Sequence, residues 1–261
     1  MFETTFFNML NLQSATVGQL RFSPARVHID GEASLTELSR YLHGSQEERG
    51  RSVFGVVLQA MKEKSEGSES RVPIRPKRQR IALERGDTPK KSPPTAARVY
   101  QEIQEKHNYV LGHYFRNLYQ VLAYIHASAP VEVDRGNELA PSPKRYSNIL
   151  RAQLSSDELV ALYFNCQGTL VDDGTFRGYL IEYEMLEHMP LEYDKERNAL
   201  LVKAYAFTAD ILEYAVVSPS GSIRSAFGKN PDVLEFLEVN PGVVTQTQMP
   251  GRWDRLKRQE A

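Results

Sequence analysis

Apolar residues recur every three to four positions along much of the chain, which is the spacing of one buried helical face. The longest example runs from Ala96 to Ala127 without a proline. This stretch predicts one long helix, or two helices that meet near Gly112. The apolar stripe of its second half consists of Leu111, Tyr114, Leu118, Val121, Leu122 and Ile125.

Shorter segments with the same spacing predict further helices. The N-terminal segment FETTFFNMLNLQ places Phe2, Phe6, Met9, Leu10 and Gln13 on one face. The segment KRYSNILRAQLSSDELVALYFNCQG predicts a helical hairpin. Ser155 and Glu158 have the Ser-x-x-Glu spacing of a capping box, so one helix ends and the next begins at Ser155. Additional helices are predicted over 34–44, 50–64, 176–190 and 199–215.

Two segments depart from the helical spacing. Residues 20–34 alternate between apolar and polar positions and predict a short strand pair that turns at Asp30-Gly31. Residues 67–94 contain five prolines and eight lysines or arginines, and they predict a mobile basic loop. A solvated insertion is favoured for this loop over an arm that binds phosphates, since it carries no aromatic residue to stack on bases. Packing over the acidic residues of 172–196 is a further alternative.

We therefore expect a mainly α fold, a single-domain helical bundle over residues 1–261 with a minor β element near residues 20–34. A chain of 261 residues with 41% hydrophobic residues can bury the core that such a domain needs. Its formal net charge of −1 gives no general attraction to nucleic acid or to anionic lipid. The single cysteine, Cys166, excludes an intramolecular disulfide and is typical of a cytoplasmic protein.

Common catalytic motifs are absent from the sequence. It lacks the phosphate-binding GxxxxGK[ST] loop, the dinucleotide GxGxxG loop, the HExxH zinc pair and the Gly-x-Ser-x-Gly elbow. Cys166 lies on the inner face of its predicted helix, so we interpret it as a buried structural thiol. We expect neither a metal site nor a cofactor.

The polar side of the long helix carries candidate chemistry. His113 and Arg116 are three residues apart, which places them on the same turn. An imidazole there could transfer a proton, and a guanidinium could hold a phosphate. If the hairpin packs on this helix, Arg151 approaches both. These three are the candidate catalytic residues of a metal-independent ribonuclease.

Further polar residues on these segments are candidate binding residues: Tyr114, Asn117, Gln120, Tyr146, Gln153 and Glu158. A purely structural account competes with both interpretations, because a buried arginine needs a carboxylate partner. Glu158, Glu182 and Glu184 are available for that purpose.

Four segments in order carry a resemblance to a known family: FETTFFNMLNLQ, GRSVF, HYFRNLYQVLAYI and YSNILRAQLSSDELVALYFNC. Together they resemble the putative phage abortive infection family, related to lactococcal AbiC. The last two segments are the specific ones. The residues that match them are His113 to Tyr119, together with Tyr146, Leu150, Arg151, Gln153, Leu154, Ser155 and Glu158.

The resemblance implies a role in bacterial antiphage defence, in which infected cells stop growing or die before phage is released. Many relatives begin with one or two membrane helices just before the Phe-rich segment, where this chain starts, so a soluble member and a trimmed one both fit. The resemblance leaves the reaction open. The favoured interpretation is an effector or sensor that acts by binding a phage protein, a host protein, an RNA or a second copy of itself. The alternatives are the ribonuclease and a structural or interaction module without catalysis.

Overall fold

The computed structural model describes residues 1–22, 48–69, 95–130, 143–168, 172–217 and 221–244. The fold of these residues is mainly α with a minor β component, which confirms the predicted fold class. The helices are α1 (Phe2–Gln19), α2 (Ser52–Glu69), α3 (Ala96–Ser128), α4 (Pro143–Arg151), α5 (Ser156–Asn165), α6 (Thr175–Glu182) and α7 (Pro231–Val239).

Helix α3 is the spine of the structure, and it runs through Gly112 without a break. The Thr95 side chain caps its N-terminus by accepting a hydrogen bond from the Arg98 backbone N–H at 3.4 Å. All six apolar residues of the predicted stripe are buried. The spine is packed against helices α1, α2, α4, α5 and α6. The exposed residues of α3 are those that lie between these helices.

Helix α1 has the buried face that the sequence predicts. Phe6, Leu10 and Gln13 are buried, and the Phe2 ring stacks on Tyr124 of α3 with 5.1 Å between ring centroids. Aromatic pairs of this kind add to the stability that comes from burying their area. The contact fixes α1 along the second half of α3.

The predicted hairpin is formed by α4 and α5, and Ser155 marks their boundary. Its hydroxyl accepts from the Glu158 N–H at 3.3 Å, while Glu158 Oε2 accepts from the Ser155 N–H at 2.7 Å. The capping box is therefore confirmed. Residues 158–165 are all buried, which is typical of a helix enclosed by other elements on every side.

Short antiparallel strands make up the β component. Strand β1 (Arg21–Phe22) pairs with β2 (Glu48–Arg49), so a strand occurs within the predicted 20–34 region but pairs outside it. The remaining strands follow α6 and are β3 (Leu191–Asp194), β4 (Ala199–Val202), β5 (Phe207–Thr208), β6 (Ala215–Val217) and β7 (Ile223–Ser225). Strand β3 pairs with β4, β4 with β5, and β6 with β7.

Two helix predictions were wrong in this C-terminal part. The helix predicted to continue to Pro190 ends at Glu182, because Glu184 adopts a left-handed φ of 51°. The helix predicted over 199–215 is instead β4, β5 and a short 3₁₀ turn. Leu200 and Val202 are both buried at a spacing of two, which is the period of a strand.

Several other predictions concern residues outside the described ranges. These are the turn at Asp30-Gly31, the helix over 34–44 and the basic segment after residue 69. Helix α2 extends through residues 67–69, which the sequence assigns to the predicted loop. The single-domain interpretation of the whole chain stays a prediction. Within the described ranges, every helix is too short or too polar to cross a membrane.

Candidate functional site

The four motif segments meet at a polar cluster, which consists of the buried Gln13, Tyr114 and Glu158 and the exposed Arg51. The Tyr114 hydroxyl donates to Glu158 Oε1 at 3.0 Å, and Arg51 Nε lies 3.2 Å from Glu158 Oε2. The buried Gln13 side chain lies close to the Tyr114 hydroxyl. Each segment thus contributes one residue to the cluster.

Burial controls the chemistry of this polar cluster. The Glu158 side chain is 1% exposed, so its carboxylate depends on the donors that surround it. Burial, and then the negative charge of Glu158, raise the pKa of Tyr114, which keeps the phenol protonated as a donor. Neither polar atom of the buried Gln13 side chain makes a hydrogen bond.

The polar cluster joins four helices, and only its Arg51 side chain is exposed to solvent. Tyr114 belongs to α3, Glu158 to α5 and Gln13 to α1, while Arg51 immediately precedes α2. Arg51 also donates to the backbone carbonyl of Gln153, in the turn between α4 and α5. The geometry indicates that the cluster sets the relative positions of these helices.

A cleft of about 560 Å³ lies on another side of α3. This volume is in the range of small-molecule sites, roughly 300–1,000 Å³. One wall is a stripe along α3, and the other combines the end of α5 with the start of α6. The lining residues are Gln104, Glu105, Asn108, Gly112, Phe115, Arg116, Tyr119, Gln120, Asn165, Asp172, Asp173, Thr175 and Phe176.

The floor of the cleft is aromatic. Phe115 and Phe176 are buried, and the partly exposed Tyr119 contacts the Phe176 ring edge-on with 5.4 Å between centroids. Gly112 adds no side chain to this surface. The cleft therefore has an apolar floor with polar groups around it, an arrangement typical of ligand sites.

Asn165 is a polar residue buried at one end of the cleft. Its Oδ1 accepts from the Tyr100 hydroxyl at 3.3 Å, and that hydroxyl in turn accepts from Gln104 Nε2 at 2.7 Å. Asn165 Nδ2 makes no hydrogen bond within the described part of the chain. An unpaired buried donor costs free energy, so a ligand acceptor that reached this amide would remove that cost.

Two aspartates form the opposite rim of the cleft. Asp172 accepts from the Gly174 N–H at 2.8 Å and from the Phe176 N–H at 2.9 Å. Asp173 accepts from the Thr175 hydroxyl at 2.6 Å. Asp172 thereby occupies the position at the N-terminus of α6 where an anionic ligand would otherwise bind.

His113 and Arg116 are exposed neighbours on α3, as their spacing predicts. Arg116 Nη1 lies 3.3 Å from His113 Nδ1, and Arg116 lines the cleft. Among the residues that the structure describes, Arg116 has no carboxylate partner. Its charge is therefore available to a ligand.

Arg151 has a different environment from Arg116. Its Nη1 lies 2.6 Å from Glu187 Oε2 and donates to the Glu184 carbonyl at 2.7 Å. Its side chain is 10% exposed, and it does not line the cleft. The structure thus brings His113 and Arg116 together and engages Arg151 with the segment after α6.

The other candidate binding residues divide between packing contacts and the cleft. Asn117 donates to the Thr16 hydroxyl at 2.8 Å, and Tyr146 donates to Glu3 at 2.7 Å. The backbone carbonyl of Gln153 accepts from Arg51. Gln120 is exposed and lines the cleft.

The sequence interpretation missed much of the cleft, although some signals were present. Asn165 is a polar residue in the otherwise apolar run LVALYFNC, and Asp172 precedes a glycine and a helix, as N-terminal capping residues often do. No local pattern distinguishes Gln104 or Asn108 from ordinary exposed helix residues. Their role depends on what packs opposite them.

The family model described as "Putative phage abortive infection protein" matches residues 106–193. The match confirms the resemblance. The matched segment is about one third of the chain and runs from α3 to β3. Of the residues that line the cleft, all but Gln104 and Glu105 fall within it. The chain has no match among curated proteins or solved structures.

Proposed function

We propose that the protein acts in phage abortive infection, as an effector or sensor that works by binding a ligand in the cleft along α3. The defence role is supported by the match to the abortive infection family model. The matched segment also forms most of the cleft. The observation that carries the binding role is Arg116. It is an exposed arginine within a cleft of ligand size, and no described carboxylate pairs with it.

Comparison with other arginines supports this assignment. Arg151 pairs with Glu187, and Arg177 pairs with Glu213 at 2.6 Å while also donating to the backbone carbonyl of Cys166 at 3.1 Å. Both are about 90% buried, so their charges are compensated inside the fold. Arg116 has no comparable structural partner, which favours a role in binding.

The second candidate function is a ribonuclease, and the 3.3 Å contact between His113 and Arg116 is the observation that favours it. In such a reaction the imidazole would take the proton of a ribose 2′-hydroxyl as that oxygen attacks the adjacent phosphorus and the 5′-oxygen leaves. Arg116 would stabilise the charge on the phosphate. The leaving oxygen also needs a proton donor, which a guanidinium cannot be. Arg151, the third residue of this candidate site, is held by Glu187 away from the cleft. We therefore place binding first.

The binding proposal is tested by expressing the chain in bacteria and measuring plaque formation across a phage panel. We expect the wild-type chain to reduce plating of at least one phage and Arg116→Ala to lose that protection. Arg98→Ala is the matched control, because Arg98 is an exposed arginine on the same helix and lies outside the cleft. Protection by Arg116→Ala equal to that of Arg98→Ala would overturn the proposal.

Purified protein separates the two candidates. Incubated with labelled single-stranded RNA and EDTA, a metal-independent ribonuclease degrades the RNA, and His113→Ala removes the activity while the helical circular dichroism spectrum is unchanged. A binding protein leaves the RNA intact in both cases. RNA degradation that depends on His113 would replace the binding role with the ribonuclease.

A further inference from the structure

The polar groups of the cleft include both donors and acceptors. Asn165 Nδ2 and the Arg116 guanidinium are donors without a described carboxylate or carbonyl partner. Asp173 and Glu105 supply carboxylate oxygens as acceptors. Each carboxylate also accepts a hydrogen bond from a neighbouring side chain. A complementary ligand must therefore present acceptors at two places and hydroxyl or amino donors at others.

The charges of the cleft limit how anionic this ligand can be. The lining includes three carboxylates, Glu105, Asp172 and Asp173, and one guanidinium, Arg116. A single phosphate can lie at Arg116, with His113 beside it. These carboxylates would repel a continuous run of phosphates, whereas strong binding of a nucleic acid strand needs several cations along its path.

We propose that the cleft binds a small ribonucleotide that carries a single phosphate. This inference rests on the proposed binding function and names the class of its ligand. The phosphate binds Arg116, and the ribose hydroxyls donate to the carboxylate rim at Asp173 or Glu105. The base lies toward Asn165 and Gln104, at the other end of the stripe on α3.

The end of the cleft near Asn165 and Gln104 has side chains that can bind a nucleobase. Side-chain amides form paired hydrogen bonds with base edges, and asparagine and glutamine favour adenine. Asn165 offers its free N–H to a ring nitrogen, while Gln104 has its N–H engaged by Tyr100 and its carbonyl oxygen available to an exocyclic amino group. AMP is therefore the first probe.

The ribose and phosphate positions fit the remaining wall. Carboxylates are the usual partners of ribose hydroxyls in nucleotide sites. Gln104 and Arg116 are twelve residues apart on α3, which is about 18 Å along the helix axis at 1.5 Å per residue. The Arg116 guanidinium reaches back to His113, one turn nearer to Gln104 along the helix. Base, sugar and phosphate can thus be arranged end to end.

Isothermal titration calorimetry on the purified full chain tests the proposal with AMP, adenosine, dAMP and a ten-nucleotide RNA. We expect AMP to bind, dAMP to bind more weakly and the RNA to bind no more tightly than AMP. Arg116→Ala should weaken AMP binding about tenfold or more, since it removes a charged hydrogen bond to phosphate, and should leave adenosine binding unchanged. Arg98→Ala should bind AMP as the wild-type chain does.

Three results would overturn the nucleotide proposal: no heat of binding with any ribonucleoside monophosphate at millimolar concentration, AMP binding that Arg116→Ala leaves intact, or RNA binding much tighter than AMP binding. Circular dichroism of each variant shows that the fold is retained. If Arg116→Ala abolishes phage protection and no nucleotide binds, the binding function stands and the ligand class is wrong. If AMP binds through Arg116 but protection is independent of Arg116, the ligand class stands and the proposed function is wrong.

Discussion

The Tyr114 hydroxyl donates a 3.0 Å hydrogen bond to the Glu158 carboxylate, which joins the spine helix to the fully enclosed helix α5. The two residues are 44 positions apart in the chain and are both buried. Arg51 and the Ser155 N–H supply the other donors to that carboxylate. A buried charge of this kind depends on each donor, so the contact can be tested by removing one atom.

Tyr114→Phe should lower the free energy of unfolding by about 1.5–3 kcal/mol, because it removes one hydrogen bond to a buried carboxylate. Urea denaturation followed by circular dichroism measures this change. Tyr124→Phe is the matched control on the same helix, since no described residue forms a hydrogen bond with the Tyr124 hydroxyl. Equal stability of the two variants would show that the Tyr114 contact contributes nothing.

Features that depend on local sequence could be predicted, whereas features that depend on distant pairing could not. The stripe on α3 and the Ser155–Glu158 capping box are local patterns, and both are present. The segment that forms β4 contains residues that also suit a helix, and its strand conformation depends on pairing, as between Leu191 and Val202.

The candidate site shows the same division. The three-residue spacing of His113 and Arg116 placed them on one turn of α3. The cleft required knowledge that Asn165 and Asp172 face α3, and this follows only from the packing of α5 and α6 against the spine. Sequence spacing alone therefore identified one wall of the site.

Ser155→Ala should destabilise the protein by about 1 kcal/mol, because the substitution removes the capping hydroxyl at the start of α5. Ser156→Ala provides the comparison, since Ser156 is exposed and lies inside the helix. Thermal melts of both variants measure the difference. A Ser155→Ala protein as stable as Ser156→Ala would show that the capping box does not stabilise this hairpin.

Arg151→Ala should lower the free energy of unfolding by about 3 kcal/mol, because Glu187 would lose the partner of its largely buried carboxylate. Arg116→Ala should change it by less than about 0.5 kcal/mol, as expected for an exposed side chain. Denaturant titration of the two variants makes the comparison. A large loss of stability in Arg116→Ala would mean that this arginine is structural.

Cys166 should be unreactive in the folded protein. Its side chain is buried, and burial raises the pKa of the thiol, so little nucleophilic thiolate forms at neutral pH. A colorimetric disulfide reagent should label no thiol in native protein and one per chain in guanidinium chloride, with Cys166→Ala unlabelled in both. Rapid labelling of native protein would contradict the packing described for the end of α5.

The most direct test of the cleft as the working site is to fill it without removing any polar group. Gly112→Leu does this, because Gly112 lines the cleft. A new Cβ there overlaps the amide of Asn108, whose exposed side chain can rotate aside. Gly18→Leu is the matched control, since a Cβ on Gly18 meets nothing within 4 Å and the residue lies in helix α1. The measurement is plaque formation by a phage that the wild-type chain restricts, with the melting temperature recorded for each purified variant. We expect Gly112→Leu to lose protection with its melting temperature maintained and Gly18→Leu still to protect. Full protection by a folded Gly112→Leu protein would show that the cleft is not the binding site.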